Sequence, residues 1–90
     1  MTKLIELEQT KGTLETLMVL LKKGDTRSTY LIDSISSSRE TFYKIVKILK
    51  KYGIVKKLYV EDQDILIWSL TPKGEEIAKL LVEIEKKLSS

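Results

Sequence analysis

The sequence predicts an α+β fold, mainly α, in one domain of 90 residues: three core helices, a two-stranded hairpin and a long closing helix. Three observations carry this. Phe42, Ile45, Val46 and Leu49 recur at i, i+3, i+4 and i+7 between a serine run and Gly53, the spacing of a helix with one buried face. Ile54 to Val60 and Ile65 to Leu70 are rich in strand formers and flank the polar Glu61-Asp62-Gln63-Asp64, the pattern of a hairpin. Thr71-Pro72 then opens an amphipathic run in which Ile77, Leu81, Ile84 and Leu88 keep a/d spacing and Leu80 widens the stripe.

Taken in order, residues 3–10 set Leu4, Ile5 and Leu7 beside Glu6 and Glu8, a short amphipathic extension that is either frayed or packed on a partner. The first strong helix starts near Gly12-Thr13 with Thr13 as its N-cap, and ends at Lys22-Lys23-Gly24, where cations meet the helix dipole and glycine supplies a left-handed stop. A short helix over about Arg27 to Ser34 should turn Tyr30, Leu31 and Ile35 inward. Ser34 to Ser38 is turn chemistry, since serine hydroxyls compete for backbone groups. The helix that follows has two candidate caps, Ser37 with Glu40 in a capping box or Ser38 with Thr41. Trp68, on the return strand, is expected to anchor a small core rather than stack on a ligand. The last helix should run to about Leu88, roughly 25 Å.

Composition narrows the function. With no Cys and no His, disulfides, thiol nucleophiles and the commonest metal ligands are absent. No Gly-rich phosphate loop and no paired nucleophile and base appear, so an enzyme is not expected, nor a cofactor. The N-terminus acquires acids before any apolar run, and the longest such run, Leu17 to Leu21, is far short of a membrane span. A cytoplasmic chain with no membrane partner is expected. Fourteen of the sixteen bases are Lys, a leaning towards a thermophilic source. A chain this small buries only about 60 to 65% of its unfolded surface, which favours a homodimer.

The formal net charge of +3 is unevenly spread. From Ser37 to Val60 seven bases stand against the single acid Glu40, whereas residues 1–36 balance five against five and residues 61–90 hold four bases and seven acids. Arg39, Glu40, Tyr43, Lys44, Lys47 and Lys51 occupy the outer face of the predicted helix. Such a patch attracts nucleic-acid phosphates, although Lys-rich helix faces are often only solvated.

In this order the elements resemble the winged helix-turn-helix proteins, notably the MarR-like and other small dimeric archaeal regulators and chromatin proteins. Four stretches carry the likeness: Leu31-Ile32 with Ile35, Ser38-Arg39-Glu40-Thr41-Phe42, Leu49-Lys50-Lys51-Tyr52-Gly53-Ile54-Val55, and Leu70-Thr71-Pro72-Lys73-Gly74. The resemblance covers about residues 12–88, with the core over about 12–70, a two-stranded wing, and a C-terminal dimerisation helix over about 72–88.

It implies a recognition helix over about 38–52 lying in the major groove of double-stranded DNA. Arg39 would then face guanine, Glu40 a cytosine amino group, and Tyr43 a sugar or thymine methyl. Ser37, Ser38 and Thr41 would meet phosphate with the free amides of the helix start, and Lys44 and Lys47 would bind backbone. Arg27, Ser28 and Thr29 would clamp a flanking phosphate. The acidic wing tip departs from the pattern, since phosphate repels it, and leaves Lys56 and Lys57 at the wing base as contacts. The dimer interface would comprise Ile77, Leu80, Leu81, Ile84 and Leu88, unless the stripe packs on Leu14, Leu17 and Leu21 of its own chain.

The expected function is a homodimeric, sequence-specific, nucleoid-associated transcriptional regulator. The alternatives are a chromatin-type binder of low specificity and a protein-interaction adaptor that docks through the acidic wing tip. No extra ligand-binding domain is evident, so constitutive action without a small-molecule ligand is expected.

Overall fold

The order of elements follows from where capping residues and glycines interrupt the apolar periodicity. The computed structural model describes residues 2–35, 38–63 and 65–90. Helices α1 (Lys3–Gln9) and α2 (Thr13–Lys23) lead to a two-residue strand β1 (Thr26–Arg27) and helix α3 (Ser28–Ser34). Helix α4 (Arg39–Lys51), strand β2 (Val55–Val60), a 3-10 turn (Glu61–Gln63), strand β3 (Ile65–Leu70) and helix α5 (Pro72–Ser89) complete the chain. The described chain is therefore mainly helical around a small antiparallel sheet of order β1-β3-β2.

The core lies where the amphipathic faces of α2, α3 and α4 meet one face of this sheet. Leu17, Leu20, Leu31, Phe42, Ile45 and Leu49 are fully buried, and Ile54, Val55, Trp68 and Ala78 close the cluster. The i, i+3, i+4, i+7 face of α4 is thus wholly inward, as its spacing predicts. Trp68 is the core anchor the sequence suggests: its ring meets Phe42 edge to face, and its Nε1 donates to Ser28 Oγ at 2.8 Å.

Two backbone features fix the segment after α4 against the start of α5. Tyr52 caps α4, and Gly53 follows with φ 70°. The amide of Ile54 then reaches Leu49 O at 2.9 Å and that of Gly53 reaches Lys50 O at 3.1 Å, a Schellman arrangement that only glycine accepts without strain. The other is a close approach. A side chain at Gly74 would overlap the Ile54 carbonyl, so the first turn of α5 packs directly on that backbone. Thr71 holds the junction, bonding Gly53 O at 2.6 Å while its hydroxyl accepts from the Gly74 amide.

Several expectations are corrected. The sheet has three strands, because Thr26 and Arg27 pair with Trp68 and Ile67 and extend the two-stranded wing. The short helix consequently starts at Ser28, with Arg27 as its N-cap. The N-cap of α2 is Gly12, and Thr13, one residue inside, buries its hydroxyl against Thr10 O at 2.8 Å. Tyr30 faces outward at 44% exposure, under Lys23 Nζ at 5.3 Å from the ring centroid, whereas Leu31 and Ile35 are buried as expected. Hydrogen bonding with Lys23 holds the Tyr30 phenol below its usual pKa.

Residues 3–9 form a helix, capped by the Thr2 hydroxyl, which buries Leu7 in the core and leaves Leu4 and Ile5 exposed. The stripe of α5 divides. Ile77 and Leu81 pack with Ala78 against their own core, while Leu80, Ile84 and Leu88 are 59%, 54% and 77% exposed. These three, spaced i, i+4 and i+8, form an outward row on a helix that is solvent-exposed throughout residues 83–90.

Candidate nucleic-acid interface

The start of α4 is built by Ser38, whose hydroxyl accepts from the Thr41 amide at 3.2 Å and lies 3.0 Å from the Thr41 hydroxyl. Of the two candidate caps this is the Ser38 register. Ser37 lies outside the described residues. With the apolar face of the helix buried, Arg39, Glu40, Tyr43, Lys44 and Lys47 are all exposed on the opposite face. Among the described residues none of Arg39, Lys44, Lys47, Lys50, Lys56 and Lys57 lies in an ion pair. Their charges remain available to an outside anion, and little has to be broken before they meet one.

The stripe runs on. Glu40, Lys44, Lys47 and Lys51 succeed one another at steps of three or four residues, so Lys51 is the C-terminal end of the same face. There it meets α1: Lys51 Nζ lies 3.5 Å from Glu6 Oε1, and the Tyr52 hydroxyl donates to Glu6 Oε2. Two ammonium groups also approach the Tyr52 ring, Lys3 at 5.8 Å and Lys51 at 5.2 Å from its centroid. The Tyr52 bond is the main reason the Glu6 carboxyl sits below its ordinary pKa, and the same bond raises the Tyr52 phenol above its own. Sequence reasoning misses this cluster, whose partners lie some 45 residues apart with no local signal linking them.

The wing separates the two lysines at its base. Lys57 is registered opposite Trp68 and so shares the sheet face turned towards Phe42 and α4. Lys56 is opposite Ser69 and projects from the other face, since successive strand residues alternate. Arg27, registered with Ile67, lies on the Lys56 side, and with Ser28, Thr29, Ile65 and Leu66 it lines a shallow groove beside the wing. Arg27 and Thr29 are exposed, but Ser28 already receives the Trp68 Nε1 proton and keeps only its own hydroxyl proton for an outside acceptor. Glu61, Asp62 and Gln63 are exposed at the tip, as the sequence expects, and Asp64 lies outside the described residues.

Among the described residues, no group of three His, Cys, Asp or Glu side chains is placed to hold a metal ion, and no helix is long and apolar enough to cross a membrane. The geometry offers a cationic helix face beside a wing with one lysine, Lys57, on the sheet face nearer that helix.

No family model and no curated protein matches the sequence. Solved structures do match it. A protein described as a transcriptional regulator of the MarR family from Porphyromonas gingivalis superposes with a TM-score of 0.77 at 28% identity, covering 93% of this chain and 83% of that one. A transcriptional regulator of Pseudomonas aeruginosa gives 0.77 at 19% identity over 87% of this chain and 59% of that one. FabT of Streptococcus pneumoniae, solved in complex with DNA, gives 0.76 at 19% identity over 86% and 55%. The chain spans little more than half the length of the latter two. Its fold is the winged helix-turn-helix of MarR-like regulators, as the resemblance in the sequence implies.

Proposed function

We propose that the chain is a double-stranded-DNA-binding transcriptional regulator that acts as a homodimer and selects its sites by sequence. The observation that carries this is the outer face of α4, which sets exposed Arg39, Glu40, Tyr43, Lys44 and Lys47 on a helix of the kind that enters the major groove. The likeness to FabT, solved with DNA, supports the same reading. Arg39 and Glu40, in the first turn, contact base edges, and Ser38 and Thr41 meet phosphate. Lys44 and Lys47 bind backbone. Lys57 is the wing contact on the α4 side, and Arg27 and Thr29 clamp a flanking phosphate, with Lys56 nearer that second group.

The dimer forms through the outward row Leu80, Ile84 and Leu88, an apolar surface unusual on a helix otherwise covered by charge. Ile77 and Leu81 support it from beneath. Such a regulator works in the cytoplasm on the nucleoid and needs no cofactor. The Lys-rich, Cys- and His-free composition supports a thermophilic source.

Binding to duplex DNA as a function of salt tests the electrostatic part of this reading. A dimer that neutralises about six to ten phosphates loses roughly a thousandfold or more in affinity between about 50 and 200 mM salt. Salt-insensitive binding, or none at low salt, would exclude it.

A second reading has one observation in its favour. Tyr59 and Leu66, registered opposite each other, are exposed on one face of the wing behind the acidic tip, a surface suited to a protein partner. An adaptor would bind duplex weakly and without sequence preference.

A further inference from the structure

The recognition face of α4 ends in a lysine that the protein itself neutralises. Lys51 continues the Glu40, Lys44, Lys47 stripe, with a side chain 63% exposed, yet it is the one lysine of that helix held by a carboxylate among the described residues. Glu6 comes from α1, and two contacts hold it in place beside Lys51. Leu7, the next residue, is buried, so the helix is seated on the core. The second carboxylate oxygen of Glu6 accepts from the Tyr52 hydroxyl. Tyr52 is itself fixed, as the C-cap of α4 and through its carbonyl, which accepts from Lys73 Nζ at 2.9 Å. Exposed ion pairs contribute little to stability, so this one is poorly explained as a support for the fold. Its larger consequence is for a ligand: a phosphate approaching the end of the stripe meets Glu6 as well as Lys51.

We propose that Glu6 is a built-in counter-charge that withholds Lys51 from the DNA backbone, shortening the cationic stripe and restraining sequence-independent binding. The inference rests on the duplex-binding reading above. A contact to phosphate carries no sequence information, so masking one lowers binding to all duplexes alike and leaves the choice of bases to the first turn of α4. N-terminal helix α1 is then a restraint on affinity as well as part of the fold.

The test is Glu6→Gln in the whole chain, measured on a random-sequence duplex across a salt series. The amide oxygen of Gln still accepts from the Tyr52 hydroxyl, so α1 stays seated while the charge is lost. The variant is expected to bind more tightly than the unaltered protein, with a log–log salt slope steeper by about 0.9 for each protomer bound. Its advantage at about 50 mM salt should exceed that at about 200 mM roughly threefold per protomer. In a Glu6→Gln, Lys51→Gln double variant the advantage should vanish. A merely structural role for Glu6 predicts weaker binding and an unchanged slope, and that result overturns the proposal. So does a gain that survives the loss of Lys51, which would be a general effect of net charge. If the unaltered chain fails to bind duplex at low salt, the duplex-binding reading falls and the mask falls with it; if it binds and only the variant disappoints, the mask alone is wrong.

Discussion

Phe42 and Trp68 meet edge to face, with ring centroids 6.4 Å apart and planes at 82°, and this contact joins the candidate recognition helix directly to the central strand of the wing. Phe42 is fully buried in α4, and Trp68 lies between β1 and β2 in the sheet. The position of the cationic face relative to the wing is therefore set from inside the core.

Phe42→Ala should cost about 3 to 5 kcal/mol, a loss of buried area with a cavity left behind. In a domain this small that is a large share of the total stability. Since Trp68 is the single tryptophan, urea unfolding followed by its emission reads the change directly. A loss below about 1 kcal/mol would mean that the ring is not part of the core.

Glu6 and Tyr52 should make the contact between α1 and the end of α4 depend on pH at both ends, while buried Leu7 keeps α1 on the core. The folded pKa of Glu6 lies below its ordinary value of 4.5, so its contribution is present above that value and is lost as pH falls through the folded one. Tyr52 is raised above 10.0, so its contribution is complete below that value and is lost as pH rises through the folded one. Amide shifts of α1, followed by NMR, should be flat between and move at each extreme. Glu6→Gln should remove the acid transition. An identical acid transition in the variant would assign it to another group.

Lys57→Ala should weaken duplex binding more than Lys56→Ala, because only Lys57 shares the sheet face of Trp68 and α4. Removing a lysine that neutralises one phosphate should flatten the salt slope by about 0.9 per protomer. Equal effects of the two substitutions would show that the wing is approached from both faces.

A Leu80→Glu, Ile84→Glu variant should be a folded monomer with weakened DNA binding, since both side chains face away from their own core. Leu81→Glu should instead destabilise the fold, because Leu81 packs against the buried cluster. Sedimentation at tens of micromolar gives the decisive reading. A monomeric unaltered protein would remove the dimer.

How far the sequence reveals this molecule depends on the range of each signal. The α4 segment declares itself through local chemistry: a serine cap, apolar residues at helical spacing and Gly53 as the stop all lie within 16 residues. The hairpin and the Thr71-Pro72 start of α5 are equally local. Strand β1 escapes such reading because two residues, Thr26 and Arg27, are too few to show an alternation, and their pairing with β3 is a tertiary event. Tyr30 reads as inward because a seven-residue helix samples each face only twice. The division of the α5 stripe is also beyond periodicity, since a/d spacing marks a wide apolar arc without saying which edge of it Ala78 will draw onto the core. At the candidate interface, the outward set from Arg39 to Lys47 follows from the burial of its complement. The opposite faces of Lys56 and Lys57 follow only once the strand register is known.

On the proposed function, the first turn of α4 selects bases while the rest of the cationic surface binds backbone. The sharpest check on that division is selection of bound sequences from a random duplex pool, repeated with Arg39→Ala and Lys47→Ala. An enriched, near-palindromic site is expected, with half-sites about one DNA turn apart, roughly 34 to 36 Å. Arg39→Ala should relax preference at one position in each half-site and cost about 1 to 3 kcal/mol there, whereas Lys47→Ala should weaken all sequences alike. A pool that yields no enriched sequence, or equal losses on selected and random duplex for both variants, would contradict it.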